Sequence, residues 1–384
     1  MTKKTIVLLV VLCSLFIYNL KAENIISKNN IQLETRLHYG FLLSHHLELN
    51  RYNSHFPMIE ISLQKSTFGQ KRWEKKYDYP LLGISLLYTD LGAYEEIGNA
   101  YAAFPYINFH LYRKNDNCIN FRIGLGLAWL ENKFDNIVNY KNFAIGSHLN
   151  IAANLQFEYR RKLSKRLTVS FATTLTHFSN GTTKTPNYGL NIFTANLGLS
   201  YSLYEPKRKG GNMLLPELYT YEFDGRKYIE VNFILLASNK DMTQSVGERF
   251  MVYASYLNIM KQVSYKSKFG LGIDITADLS DKYFLELQEN SSDYKSYSYM
   301  KTGINGAYEL VLSRLSFLFN VGIYVGGKIR KQGDAYQRFS LKYLLNRNLT
   351  ANFALNAHAG TADYIGLGIG YRFKFIYKRE IKHY

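Results

Sequence analysis

Alternation of apolar and polar side chains is the strongest signal in the chain. Between residues 119 and 130, Phe121, Ile123, Leu125, Leu127 and Trp129 share one face of an extended strand, opposite Asn120, Arg122, Gly124, Gly126 and Ala128. Over 147–160, Leu149, Ile151, Ala153, Leu155, Phe157 and Tyr159 oppose His148, Asn150, Asn154, Gln156 and Glu158. Over 167–179, Leu167, Val169, Phe171 and Leu175 oppose Thr168, Ser170, Ala172, Thr174 and Thr176. A period of two puts successive side chains on opposite faces of a pleated strand. The same reading predicts strands at roughly 32–48, 57–65, 81–90, 99–113 and 189–204. A second set follows at roughly 227–239, 249–260, 267–279, 300–311, 315–327, 335–345, 349–358 and 362–376.

Dyad-periodic segments of about ten residues separated by turns mark a membrane β-barrel. A soluble antiparallel sandwich also alternates, because it too buries one face. Strand length favours the barrel. So does composition: 33 Tyr and 24 Phe stand against only 6 Pro, and aromatic rings suit both strands and membrane interfaces. The expected fold is therefore all-β, an antiparallel transmembrane β-barrel. Eight strands lie in the first half and about eight in the second, as one large barrel or two. Asn196-x-Gly198-x-x-Tyr201-x-Leu203 has the pattern of a closing barrel strand, and Gly368-x-x-Tyr371-x-Phe373 repeats its spacing. Leu167-Thr168-x-x-Phe171 corresponds to Leu349-Thr350-x-x-Phe353, which points to a distant duplication. His358 falls near the place of His177 but has no serine two residues on.

The N-terminus reads as a cleaved secretory signal. Lys3-Lys4, the apolar run Ile6 to Leu20 and the small residue Ala22 follow one another in the expected order. The run, about 15 residues, is short for a membrane helix. Cys13 lies within it, so only Cys118 remains in the mature chain and no disulfide framework exists. Removing the signal takes three lysines, and the net charge falls from +17 to +14. The basic residues are scattered and the chain is exported, which excludes nucleic acid as partner. The expected organisation is a signal peptide at 1–22, a barrel half at 23–204, a basic linker or loop at 205–226 and a second strand-rich half at 227–384.

Candidate chemistry concentrates at 177–191. His177 and Ser179 are two apart, so they share a strand face about 6.5 Å apart, within reach of the proton transfer that an acyl-enzyme mechanism needs. They continue the odd series Leu167, Val169, Phe171 and Leu175, which faces lipid if the barrel is right. Ten residues separate Leu167 from His177, roughly 25 Å of membrane height at the usual tilt. The pair therefore lies at the outer rim. No metal-ligand spacing and no phosphate-cradling loop is visible, so no cofactor is called for. The Gly-x-Gly pairs at 124–126, 270–272 and 368–370 sit inside strands and read as relief of crowding on the inner face.

His177-x-Ser179-Asn180-Gly181, followed by Pro186-Asn187-x-Gly189, resembles the active-site region of the outer-membrane lipid A 3-O-deacylases (PagL type), grouped with acyloxyacyl hydrolases. The resemblance is strongest over about 119–204, runs back to residue 32 and is not evident over 205–384. It implies an outer-membrane serine esterase of a Gram-negative bacterium acting on the acyl esters of lipid A in lipopolysaccharide, whose phosphates would attract a basic protein. By position, Ser179 would be nucleophile and His177 base and then acid. The backbone of Gly181 and the side chain of Asn187 would form the oxyanion hole, and Asn180 would shape the turn. Pro-Asn-x-Gly also makes a good turn without any catalytic role. The family's third member is a Glu, and Asn191 stands there instead. An amide can orient the imidazole but cannot supply charge to an imidazolium. Of the nearby carboxylates, Glu158 lies on the polar face and far below, while Glu131 and Asp135 lie at the right height. The alternatives are an inactive barrel with a pore or structural role and a soluble periplasmic lipase.

Overall fold

A computed structural model describes residues 31–379 apart from 53, 70, 94, 204–207, 210–211, 214–225, 243–246, 289–296 and 331–332. The expected signal peptide and most of the expected linker lie outside the described residues. Strands β1 (Ile31–Leu42), β2 (His55–Ser66), β3 (Leu81–Thr89), β4 (Ala100–Lys114), β5 (Asn117–Leu130), β6 (Leu149–Lys162), β7 (Leu167–Ser179) and β8 (Leu190–Ser202) close into one antiparallel barrel. A two-residue ribbon pair, β9 (Arg208–Lys209) and β10 (Asn212–Met213), follows. Strands β11 (Arg226–Asp241), β12 (Arg249–Gln262), β13 (Ser267–Asp278), β14 (Met300–Leu312), β15 (Leu315–Gly326), β16 (Ala335–Leu344), β17 (Leu349–His358) and β18 (Thr361–Arg379) close into a second. The choice between one large barrel and two is thus settled by pairing: β8 returns to β1, with Leu33 opposite Tyr201, and β18 returns to β11, with Phe233 opposite Tyr371.

Alternation in sequence becomes inside and outside. On β7 the even residues Ser170, Ala172, Thr174, Thr176 and Phe178 are buried, while Phe171 and Leu175 are exposed. Exposed apolar residues recur around both barrels, among them Leu37, Leu197, Leu271 and Leu367. Soluble monomers rarely expose contiguous apolar surface beyond a few hundred Å². A belt of this extent on a closed barrel needs lipid around it, and closure leaves neither barrel a free sheet edge.

The interior of the first barrel is a neutral set of six charges. Arg122 makes a bidentate pair with Glu60, at 2.6 and 2.9 Å. Arg36 reaches Glu34 at 3.0 Å and also Glu158, and Arg160 reaches Glu34 at 3.0 Å. Asn108 and Asn120 both donate to Glu158, at 2.6 and 2.8 Å. The second barrel is braced likewise: Arg338 pairs twice with Asp274, at 2.9 Å each, and Lys268 pairs with Glu230 at 2.6 Å. Side chains that meet across the lumen in this way fill it, as in other eight-stranded barrels.

The six first-barrel charges are worth keeping only as a set, since removing one partner strands the other in a low-dielectric interior. Glu60 accepts from Arg122, Ser62 and Ser85. Replacing Glu60 with Ala is expected to lower stability by about 3–5 kcal/mol. The loss should appear as a lower urea midpoint for the shift between folded and unfolded bands on a gel. An unchanged midpoint would mean that Arg122 does not depend on this carboxylate.

Candidate active site

Burial of one residue sets the direction of the two that matter. Phe178 is fully buried in an apolar cluster with Leu42, Leu130, Leu190 and Ile192 beneath the rim of the first barrel. Its neighbours His177 and Ser179 must therefore point outward. In the β7–β8 ladder His177 stands directly opposite Asn191, so both side chains leave the same face side by side.

A continuous chain of hydrogen bonds runs from a backbone carbonyl to the His177 ring. His45 Nε2 lies 2.9 Å from the carbonyl oxygen of Tyr188, which can only accept. Nε2 therefore carries the hydrogen, and His45 Nδ1 is left as an acceptor. Asn191 Nδ2 donates to it over 3.0 Å; Leu43 O, 3.5 Å from the same nitrogen, is too distant to compete. With its amino group committed to His45, Asn191 turns its oxygen to His177 Nδ1, 2.6 Å away. His177 Nδ1 thus holds the hydrogen, and Nε2 keeps a free lone pair. His177 is in the tautomer of a base.

Two N–H donors converge on the serine. Gly181 N donates to Ser179 Oγ over 3.0 Å and Asn187 Nδ2 donates over 3.1 Å. Asn187 Oδ1 in turn accepts from Asn180 N at 3.0 Å, which fixes the orientation of its amide. The Asn180 side chain donates to Ser147 Oγ and to Lys184 O, at 2.9 Å each, and so braces the turn. Glycines meet two local demands. Gly189, at φ +78°, lies under the His177 ring, where a Cβ would come within 2.8 Å of Cε1. Gly181 has φ +59° and presents its amide to Ser179.

All six residues expected from the sequence are thus together at one rim. Among the described residues no hydrogen bond joins His177 to Ser179; the serine oxygen rests on the two donors instead. The carboxylates weighed as partners for the histidine are engaged elsewhere. Glu158 is buried with Arg36, Glu131 accepts from Asn99, and Asp135 caps the amides of Ile137 and Val138. His45 is a participant that sequence reading missed. The first strand ends at Leu42 rather than near 48, so His45 sits in a loop where alternation carries no information. Among the described residues the second barrel has no counterpart of this site. The pair Leu349–Tyr371 occupies the place of Leu167–Tyr201. His358 is one residue nearer to Leu349 than His177 is to Leu167, so its side chain turns inward, to Tyr324 OH at 3.1 Å.

In detergent at neutral pH, ring 15N shifts should report the Nδ1–H tautomer for His177 and the Nε2–H tautomer for His45. Asn191→Leu should release His177 into a mixture of tautomers. A His177 ring protonated on Nε2 in the unaltered protein would break the hydrogen-bond chain described here.

No curated protein matches the chain. Among solved structures it is similar to the outer-membrane enzyme PagL, at 14% identity over 43% of this chain and 97% of that one, with a TM-score of 0.31. It is also similar to the outer-membrane protein Omp33 of Acinetobacter baumannii, at 7% identity over 90% and 99% of the two chains, with a TM-score of 0.18. Family models match both halves: residues 58–200 match lipid A 3-O-deacylase (PagL), and residues 229–375 match the C-terminal domain of acyloxyacyl hydrolase. Residues 58–200 thus form a domain of the lipid A 3-O-deacylase (PagL) family, followed at 229–375 by a C-terminal domain of the acyloxyacyl hydrolase kind.

Proposed function

We propose that the protein is an outer-membrane esterase that removes fatty acyl chains from lipid A through an acyl-enzyme on Ser179. The observation that carries this reading is the convergence of two N–H donors on Ser179 Oγ, on the lipid-facing side of the strand, beside a histidine whose Nε2 is free. The family match at 58–200 supports the substrate class. The turns at 115–116 and 163–166, on the side of the strand ends Ile31 and Ser202, are short. Bacterial barrels turn their short connections to the periplasm, although the 67–80 connection on that side is longer. This orientation puts 180–189 at the cell surface, level with the acyl esters of the outer leaflet.

Turnover on this reading starts at Ser179. Rotation about the Ser179 Cα–Cβ bond frees Oγ from its donors, and a substrate carbonyl oxygen takes its place between Gly181 N and Asn187 Nδ2. His177 Nε2 accepts the hydroxyl proton as Oγ attacks the carbonyl carbon. Charge developing on the carbonyl oxygen is then met by donors already in position, where electrostatic stabilisation is most effective. The tetrahedral intermediate collapses, and His177 returns the proton to the departing sugar hydroxyl. Water, activated by the same Nε2, releases the fatty acid. Asn191 holds the ring throughout but adds no charge.

Lipid A extracted from intact cells making the protein should lose the mass of an acyl chain, and cells making Ser179→Ala should not. Identical acylation in the two strains, with both barrels folded, would sink the enzyme reading. Asn191→Asp supplies the missing charge, and kcat at neutral pH is expected to rise about tenfold or more. Turnover measured on a micellar acyl ester checks this, and a rate no faster would mean that imidazolium stabilisation does not limit the reaction.

A further inference from the structure

The turn that supplies both donors is held from outside its own barrel. Asp241, the last residue of β11, is 5% exposed. Its Oδ2 accepts from Thr185 N at 3.0 Å and from Thr185 Oγ1 at 3.2 Å, and lies 3.6 Å from Lys184 Nζ. Among the described residues, every hydrogen bond and ion pair of this carboxylate runs to the first barrel. The adjacent Lys240 does not compete for it, being paired with Asp278 and Asp363. The backbone joins in: Asp241 N donates to Thr182 O over 2.8 Å, and Thr182 Oγ1 donates to the carbonyl of Asp363. Ile365 closes the contact over Gly181, where a Cβ would lie 2.0 Å from Ile365 Cδ1.

These anchors fall at particular places. Thr182 follows Gly181, the first donor, and Thr185 precedes Asn187, the second, by two residues. A single residue of the second barrel therefore grips the turn between its two donors. The functional logic is tolerance: donors a fraction of an ångström out of place lose most of their effect on a developing oxyanion, and an error of about 1 Å can cost roughly a hundredfold in rate. Ten residues span β7 to β8 here, more than a tight hairpin needs, so β7 and β8 alone do not fix the middle of the turn.

We propose that the second barrel is a structural part of the active site and that Asp241 is its positioning residue for the oxyanion donors. This rests on Ser179 being the nucleophile, and it gives the second barrel a task other than a second copy of the chemistry. A carboxylate suits the task because its Oδ2 takes both Thr185 hydrogen bonds and its charge also attracts Lys184. Buried charge also makes the grip strong relative to one made by a neutral acceptor.

The test uses the full-length protein with Asp241→Ala and Asp241→Asn. With a micellar acyl ester, Asp241→Ala is expected to lower kcat about tenfold or more while KM stays within about twofold, because donors act on the transition state and not on substrate binding. Asp241→Asn keeps an acceptor oxygen for Thr185 and should recover part of the loss. Independently of activity, amide hydrogen exchange across 181–188 should quicken about tenfold or more in Asp241→Ala, while β7 and β8 keep their protection. Unchanged exchange in that segment overturns the proposal. So does a loss of kcat that comes with a rise in KM and faster exchange in the strands, since that is general unfolding. Faster exchange of the turn in a protein whose unaltered form hydrolyses no ester would uphold the grip and overturn the reading of Ser179 as nucleophile.

Discussion

Every functional statement about this protein depends on the two-residue period of one strand and on the residue that locks its phase. Burying a phenylalanine stabilises by about 1.5–3 kcal/mol, and Phe178 is fully buried among Leu42, Leu130, Leu190 and Ile192. A slip of β7 by one residue would put Phe178 into lipid and turn His177 and Ser179 into that apolar cluster, where neither finds a partner. The charges lower in the barrel resist the same slip from the other end. Glu158 on β6 is held by Arg36, Asn108 and Asn120, and β6 is the neighbour against which β7 is registered. The site thus faces outward because Phe178 holds the inner face, and whatever reaches it must come from the membrane side.

The neutral residue at 191 changes what the histidine can do. A carboxylate beside an imidazole both orients it and lowers the cost of its charge. Asn191 does the first only, and orients the ring by a relay that begins at the Tyr188 carbonyl and passes through His45. Each link has one donor and one acceptor, so the relay allows a single assignment of hydrogens. The arrangement keeps the definition of the tautomer and gives up the electrostatic support.

How much of this was legible in the sequence follows from where periodicity holds. All sixteen barrel strands were visible, because each has one face in lipid and one in a packed interior. That His177 and Ser179 share a face was visible for the same reason, whereas Asn191, Asn187 and Gly181 were singled out only through the resemblance of 177–189 to the deacylase site. Whether the barrel closed after eight strands was not legible: both answers need the same alternation, and only the pairing of Leu33 with Tyr201 decides it. His45 and Asp241 were also hidden, one in a loop and one at a strand end. A loop residue acquires a partner through chain reversals that no local pattern encodes.

The second barrel brings the remaining constraint. Its histidine faces inward and its interior is braced by its own ion pairs, so it repeats the architecture without repeating the site. What it presents outward at the shared rim is a contact: Ile365 over Gly181, and Asp241 against Thr182 and Thr185. A further contact lies at the opposite end of the barrels, where Tyr77 OH donates to Val311 O over 2.8 Å. Two contacts separated by the height of the membrane resist tilting of one barrel against the other, which a single contact would allow. Gly181 then has two reasons to lack a side chain, a positive φ that lets its amide reach Ser179 and a neighbour from the other barrel that fills the space where a Cβ would go. One residue position therefore couples the donors on Ser179 to the packing of the two barrels.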